Sequence, residues 1–439
     1  MDVTEIFTPS DYPTYTYVIR LGALLDDQLA GALKTRGEII SVSGPSKSGK
    51  TVLIENVAGR ENIIPVTGAS ITRPDEVWEL ALEWMETPTP TSTTTTTTFN
   101  GGLTGAVKLK AGPLALEGGG SGGATRATAA TSQVRQSAMQ QVIREIGDSP
   151  FVLLIDDYHY MPDDVQIGVA RQIKEAARQG VKIVVASVPH RSDDVVRSNP
   201  ELRGRVRSID TGLWSDDDLQ RIAVKGFPEV GLNIPEDQMR TFVRESFGSP
   251  QLMQAICLQA CMSSGIHQTN RVIVDRPFTA QQIQAAMRET STRADFSSLI
   301  RTMHAGPKVR GTERKVYDFP DDTRGDVYRA LLLAIRADPP RMAIDWNELS
   351  KRVNRLCSPD GPQAASLATA CQQINMFARR MYPHQRVIDW VGEPDNLFTI
   401  EDPYFLFYLR WSSKLDSLAK AKAEESYSLF SEDPEPTGS

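Results

Sequence analysis

Gly44-Pro45-Ser46-Lys47-Ser48-Gly49-Lys50-Thr51 decides how the rest of this chain is read. It fits the pattern G-x-x-x-x-G-K-[ST]. Before it, Ile39-Ile40-Ser41-Val42-Ser43 has the apolar, β-branched character of a short strand. After it, Val52, Leu53, Ile54 and Val57 recur at helical spacing. Strand, glycine loop and helix in that order open an α/β unit. The residue types suit the holding of phosphate. The loop of Gly44, Pro45, Ser46, Lys47, Ser48 and Gly49 curls around phosphate oxygens, and its glycines keep Cβ atoms out of the way. The helix that follows points its positive end at the anion. Lys50 reaches the outer phosphates, and the Thr51 hydroxyl ligates Mg²⁺. Chance produces such a match in a chain of this length at odds on the order of 1–2%, and the flanking strand and helix lower those odds further.

A site of this kind needs an acid at the end of a buried strand. Phe151-Val152-Leu153-Leu154-Ile155 runs into Asp156-Asp157. Asp156 is expected in the Mg²⁺ shell and Asp157 as the carboxylate that orients a water; the alternative is a solvated pair capping the next helix. Asp at position 157 reaches less far than Glu, which fits slow hydrolysis. Ser187 ends the next apolar strand, Val181–Ser187, and is a candidate to touch the terminal phosphate or the attacking water, or simply to cap the strand. Arg203 and Arg205 are candidates for arginines supplied to a neighbouring copy's nucleotide, against a reading as solvated arginines.

The chain has 439 residues, 40% apolar and 23% charged, which is ordinary globular composition with room for about three domains. Lys plus Arg is 48 and Asp plus Glu 55, a net charge of −7, so a polybasic nucleic-acid binder is excluded overall and any basic surface is local. Four cysteines, Cys257, Cys261, Cys357 and Cys371, are too few for a disulfide scaffold and suit a reducing compartment. Cys257 and Cys261 share a helix face but lack partners at metal-ligand spacing, so they read as core thiols. Residues 1–5 carry no basic, apolar leader, and no apolar run approaches the ~20 residues of a membrane span. The expectation is a soluble, cytoplasmic protein.

Alternating strands and helices predict an α/β fold: a mostly parallel sheet with helices on both faces over residues 1–214, interrupted by a Thr/Gly-rich insertion at 86–130. Nine of the 31 glycines lie between Gly101 and Gly123. The insertion reads as disordered, or as a hairpin of Val107–Lys110 with Leu114–Glu117. A helical lid is expected over 215–305, a polar linker over 306–324, and a polar tail over 416–439. Within 325–415, three helices (326–336, 346–356, 364–381) precede a hairpin of Arg386–Val391 with Leu397–Ile400 and a last helix from Pro403, the order of a winged helix.

The loop, the string Leu153-Leu154-Ile155-Asp156-Asp157-Tyr158-His159 and the later Gly248-Ser249-Pro250 together resemble the AAA+/STAND class of P-loop signalling ATPases. The acid string is similar to that of the maltose-regulator-like branch. Ile400–Trp411 resembles the end of the winged helix in archaeal-type ATPases of the class. The resemblance implies ATP and Mg²⁺ as ligands, and Pro250 as the proline of a G-x-P turn that contacts adenine. Homo-oligomers are expected, and a separate effector protein as well, since no recognisable nuclease, protease or membrane effector follows the ATPase part; a sensing or defence setting is what the class implies. Tyr17-Val18-Ile19-Arg20 lacks the Gly-Arg-Glu order found before the loop in the class, and Gln251 stands where many AAA+ motors have arginine. The alternatives are a DNA-associated AAA+ ATPase of the replication-initiator or transposition-regulator kind, and a nucleotide-binding scaffold without turnover. Arg379, Arg380 and Arg386 invite a DNA reading. The acids around them make it the less favoured one.

Overall fold

The computed structural model describes residues 1–20, 22, 24–87, 137–188, 202–308, 313–357, 359–383 and 385–418. The hairpin expected within the insertion lies outside them. Five strands form one all-parallel sheet: β1 (Ile39–Ser43), β2 (Ile63–Thr67), β3 (Val152–Asp156), β4 (Lys182–Ser187) and β5 (Val206–Asp210), in the order β2-β3-β4-β1-β5. Their apolar residues alternate between faces, as the period of two requires. Leu153, Ile155, Ile183 and Val185 pack under α4 (Glu76–Trp84), α5 (Ala138–Ile146) and α6 (Asp163–Arg178). Val152, Leu154, Val184 and Ala186 pack under α2 (Leu25–Lys34) and α3 (Lys50–Ala58). Each fully buried aliphatic side chain contributes about 1.5–3 kcal/mol. The sheet is the doubly covered α/β arrangement that the strand–loop–helix reading predicts.

Strand β5 has no counterpart in the sequence reading. Only Ile209 of its five residues is buried, because it is an edge strand held on one side by β1. A half-exposed sequence such as Val-Arg-Ser-Ile-Asp carries little strand signal.

Beyond β5 the chain is helical: Asp216–Val230, Glu236–Ser246, Pro250–Met262, Ala280–Ser291 and Ser297–Ala305. Three further helices, Val327–Arg336, Trp346–Leu356 and Ala364–Met381, precede an antiparallel sheet. The hairpin of Ile388–Val391 with Leu397–Ile400 is joined there by a third strand, Ala343–Asp345, so the sheet has three strands rather than the expected two. Asp402 caps the last helix, Pro403–Trp411, by accepting from the Tyr404 N–H at 2.9 Å. One apolar core runs continuously from the helices after β5 to this last helix; Phe296, for example, meets Tyr382, Phe405 and Tyr408.

Two segments depart from expectation. Residues 313–324 are not a bare linker. Tyr317 and Phe319 are buried, and Tyr317–Asp318 pairs with Arg324–Gly325. The fully buried Arg329 holds this turn through Asp321 and Thr323. Residues 1–7, grouped by sequence with the sheet domain, instead join the helical core: Phe7 packs edge-on against Phe227 at 5.1 Å, and Val3 N–H donates to the His267 carbonyl. The chain therefore starts on the helical unit, crosses to the sheet and crosses back after Asp210. All four cysteines are free and buried, and burial pushes the Cys257 thiol pKa up.

Candidate phosphate and metal site

Parallel strands end at one edge. That edge collects the loop after β1, the acids at the end of β3, Ser187 at the end of β4 and Thr211 just past β5. In the loop, Gly49 sits at φ +86° immediately before α3, a conformation that favours glycine. A Cβ on Gly44 would run into the side chains of Thr211 and Ser48. No side chain caps the first turn of α3, so its N–H groups remain for a ligand. Lys47 and Asp157 hold positive φ without being glycine, at 63° and 54°. Such backbone strain is concentrated where surrounding contacts over-determine it.

Lys50 folds over the loop and donates to the carbonyls of Gly44 and Pro45 at 2.9 and 3.0 Å. Burial pushes its pKa down, against the pull of Asp156 and Asp157. The Thr51 hydroxyl donates to Asp156 Oδ2 at 3.1 Å, across 105 residues of sequence. A hydroxyl and a carboxylate are hard oxygen donors of the kind Mg²⁺ takes, and Mg²⁺ commonly uses one or two protein ligands beside phosphate and water. No cluster of three or more His, Cys, Asp or Glu side chains able to hold a metal occurs among the described residues. Asp157 is half-buried beside this pair. Burial, then the charge of Asp156, push its pKa up against the influence of Lys50.

The other sequence candidates fall differently. The Ser187 carbonyl accepts from the Gly44 N–H, and the Ser187 hydroxyl is buried with no hydrogen-bond partner. Pro250 begins its helix against the loop, 3.7 Å from where a Gly49 Cβ would lie, and Ser249 Oγ donates to the Lys47 carbonyl. Arg203 and Arg205 are exposed at the start of β5, where the Arg205 carbonyl accepts from Ile39 N–H. That is the far end of the strands, about 16 Å from the loop at 3.3 Å per residue, so they are not brought together with their own chain's loop.

Several supporting contacts escaped the sequence reading. Thr211 Oγ1 lies 2.9 Å from Ser48 Oγ, and Trp214 Nε1 donates to the Ser48 carbonyl at 2.9 Å. Arg20 stacks over Trp214 and bonds the carbonyls of Thr211 and Leu213, which fastens the two crossings of the chain together. Lys47 reaches Asp402 at the start of the last helix and lies 4.2 Å from the Tyr404 ring centre. None of these has a local signal; each depends on contacts made through the fold.

A cavity of about 920 Å³ opens over the loop. Its walls come from the N-terminal crossing (Tyr12, Val18), the loop, Asp156 and Asp157, the start of the Pro250 helix, and Arg379 and Arg386 of the C-terminal unit. Arg379 and Arg386 are not free cations: Asp389 accepts from them at 2.8 and 3.1 Å.

No family model matches the chain, and no curated protein sequence matches it. Solved structures similar to it include Cdc6p from Pyrobaculum aerophilum, at 14% identity and a TM-score of 0.41 over 95% of this chain and 98% of that one. The Walker-type ATPase of Pyrococcus abyssi is similar at 14% identity and 0.45, over 89% and 96%. The RuvB Holliday junction branch migration motor of Thermotoga maritima is similar at 11% and 0.38, over 88% and 94%. No helix among the described residues is long and apolar enough to cross a membrane.

Proposed function

We propose that this chain is an ATP-binding, slowly hydrolysing switch of the AAA+/STAND kind that assembles with its own copies and acts on a separate effector. The observation that carries the reading is the meeting of Thr51 with Asp156 beside a glycine loop that leads into a helix start without a side-chain cap. In this reading the loop N–H groups and Lys50 hold the phosphates, with Lys50 exchanging its two carbonyl partners for phosphate oxygens. Thr51 and Asp156 hold Mg²⁺, which supplies positive charge to the phosphate oxygens when bound. Asp157 accepts a hydrogen bond from the attacking water and orients it. Ser187 offers its unpartnered hydroxyl to the terminal phosphate. Pro250 flanks the base. Arg203 and Arg205, exposed at the opposite edge, serve only another copy's nucleotide.

The switch character is supported by the cavity walls, which come from both the sheet and the C-terminal unit. A ligand there touches the parts whose arrangement it would bias. The three C-terminal helices with their small sheet are read as a winged helix turned toward the nucleotide. Engagement of Arg379 and Arg386 by Asp389 supports that over a duplex-reading role.

Equilibrium titration of Mg²⁺-ATP tests the reading. Lys50→Ala removes a charge-assisted contact of roughly 1.5–3 kcal/mol and is expected to weaken binding about 10- to 100-fold. Unchanged affinity overturns the assignment. Phosphate release separates the switch from a scaffold without turnover. Strong, salt-sensitive stimulation of that release by duplex DNA would favour the DNA-associated alternative.

A further inference from the structure

The helix that begins at Pro250 carries a glutamine on its second turn, Gln254, which lines the cavity yet is only 4% exposed. Its Nε2 donates to Thr16 Oγ1 at 2.6 Å. The Thr16 hydroxyl in turn donates to the Ile6 carbonyl at 3.2 Å, and Thr16 is itself buried. A hydroxyl has one hydrogen. With that hydrogen directed at Ile6, Thr16 can only accept from Gln254, so the amide is held with its nitrogen toward Thr16 and its oxygen away. That oxygen, Oε1, is buried and has no hydrogen-bond partner. Gln251, one turn earlier and also on the cavity wall, has a second buried Oε1 without a partner.

We infer that Gln254 selects adenine over guanine. The inference rests on the nucleotide reading above. In that reading Pro250 flanks the base, and Gln254 follows one turn later on the same helix and on the wall of the same cavity. Thr16, Val18 and Ile222 line the cavity with it. At the six position adenine carries an amino donor, whereas guanine carries an oxygen acceptor. A fixed acceptor accepts from the first and repels the second. A buried polar atom left unpaired by the wrong ligand is what makes such discrimination large. Thr16 acts through Gln254 and is a positioning residue.

The test compares ATP, GTP and purine-riboside triphosphate, which is ATP without the amino group, on the full chain by equilibrium titration. Wild type is expected to prefer ATP over each of the others by roughly 10- to 100-fold. Gln254→Met keeps the side chain's length and removes the acceptor. It is expected to bring the affinity for ATP to within about threefold of that for purine-riboside triphosphate, with affinity for the latter unchanged. Thr16→Val frees the amide to turn and is expected to narrow the preference for ATP over GTP, a change in base selectivity that loss of packing alone does not produce. Wild type that binds ATP, GTP and the purine analogue equally overturns the inference and leaves the ATP site standing. A full wild-type preference retained in Gln254→Met overturns it too. Wild type that binds no triphosphate overturns the nucleotide reading and this inference together.

Discussion

The ammonium of Lys47, inside the glycine loop, lies 3.2 and 3.1 Å from the two carboxylate oxygens of Asp402, 355 residues further along the chain. Asp402 is 1% exposed on its side chain and Lys47 28%. The same carboxylate caps the last helix and accepts from Gln385 Nε2 at 2.7 Å. One buried acid thus joins the glycine loop, the hairpin base and a helix start. Asp402→Ala removes a cap and a charge partner and is expected to destabilise the chain by about 2 kcal/mol. Denaturant melts read this loss, and limited proteolysis reads release of the C-terminal unit. A variant as stable and as resistant as wild type would show that the contact is incidental.

Asp157→Asn leaves the loop, Lys50 and Thr51 in place and takes away the negative charge proposed to orient the water. ATP affinity is expected to stay within about threefold while turnover falls about 100-fold. Asp156→Asn is expected to lower Mg²⁺-dependent affinity as well. Single-turnover phosphate release beside a binding titration separates the two. Wild-type turnover in both variants places the catalytic carboxylate elsewhere.

Arg410 meets Glu245 through two nitrogens at 3.0 Å each, and Trp411 Nε1 adds a third bond at 2.8 Å to a carboxylate that is fully buried. Burial works to lower the Arg410 pKa, but the bonds and charges of Glu245 and then Asp338 outweigh it and hold it up. Glu245→Gln removes the buried carboxylate charge, leaves the guanidinium only exposed Asp338 as an ionic partner, and is expected to cost about 3 kcal/mol in urea unfolding. Replacing both, Glu245→Met with Arg410→Leu, is expected to recover much of that loss. A double variant no better than the single one counts against the pair as the cause.

Asp389 sets a pH dependence. Burial works to raise its pKa, but hydrogen bonds and charge from Arg379, then Arg386 and Asn375, hold it below the usual carboxylate range. A carboxyl lowered on folding contributes fully above its unfolded value of about 3.9, and that contribution is lost as pH falls through the folded value. The stability gap between wild type and Asp389→Asn is therefore expected to be constant from pH 7 to about 5 and to close below about 4. A gap at pH 3 as wide as at pH 7 refutes the link.

The boundaries of β1, α3, β3 and the C-terminal helices are legible in the chain because their apolar residues repeat at a helix or strand period over enough positions. The Gly44–Thr51 loop is legible because its residue types follow from phosphate chemistry alone. Ala343–Asp345 and Val206–Asp210 are not legible: the first is too short to show a period, and the second is an edge strand with most positions facing solvent. Lys47 with Asp402 and Gln254 with Thr16 lie 355 and 238 residues apart, so no local pattern announces them. They exist only once the helices have packed.

The double crossing of the chain between its helical unit and its sheet has a mechanical consequence. Residues near Arg20 run one way and those near Leu213 run back, and Arg20 rivets the two side by side. A single tether would let one body spin freely against the other. Two adjacent, riveted tethers behave as a ribbon, which bends easily across its width and resists torsion. The opening and closing that the proposed switch requires would thereby be steered along a single swing.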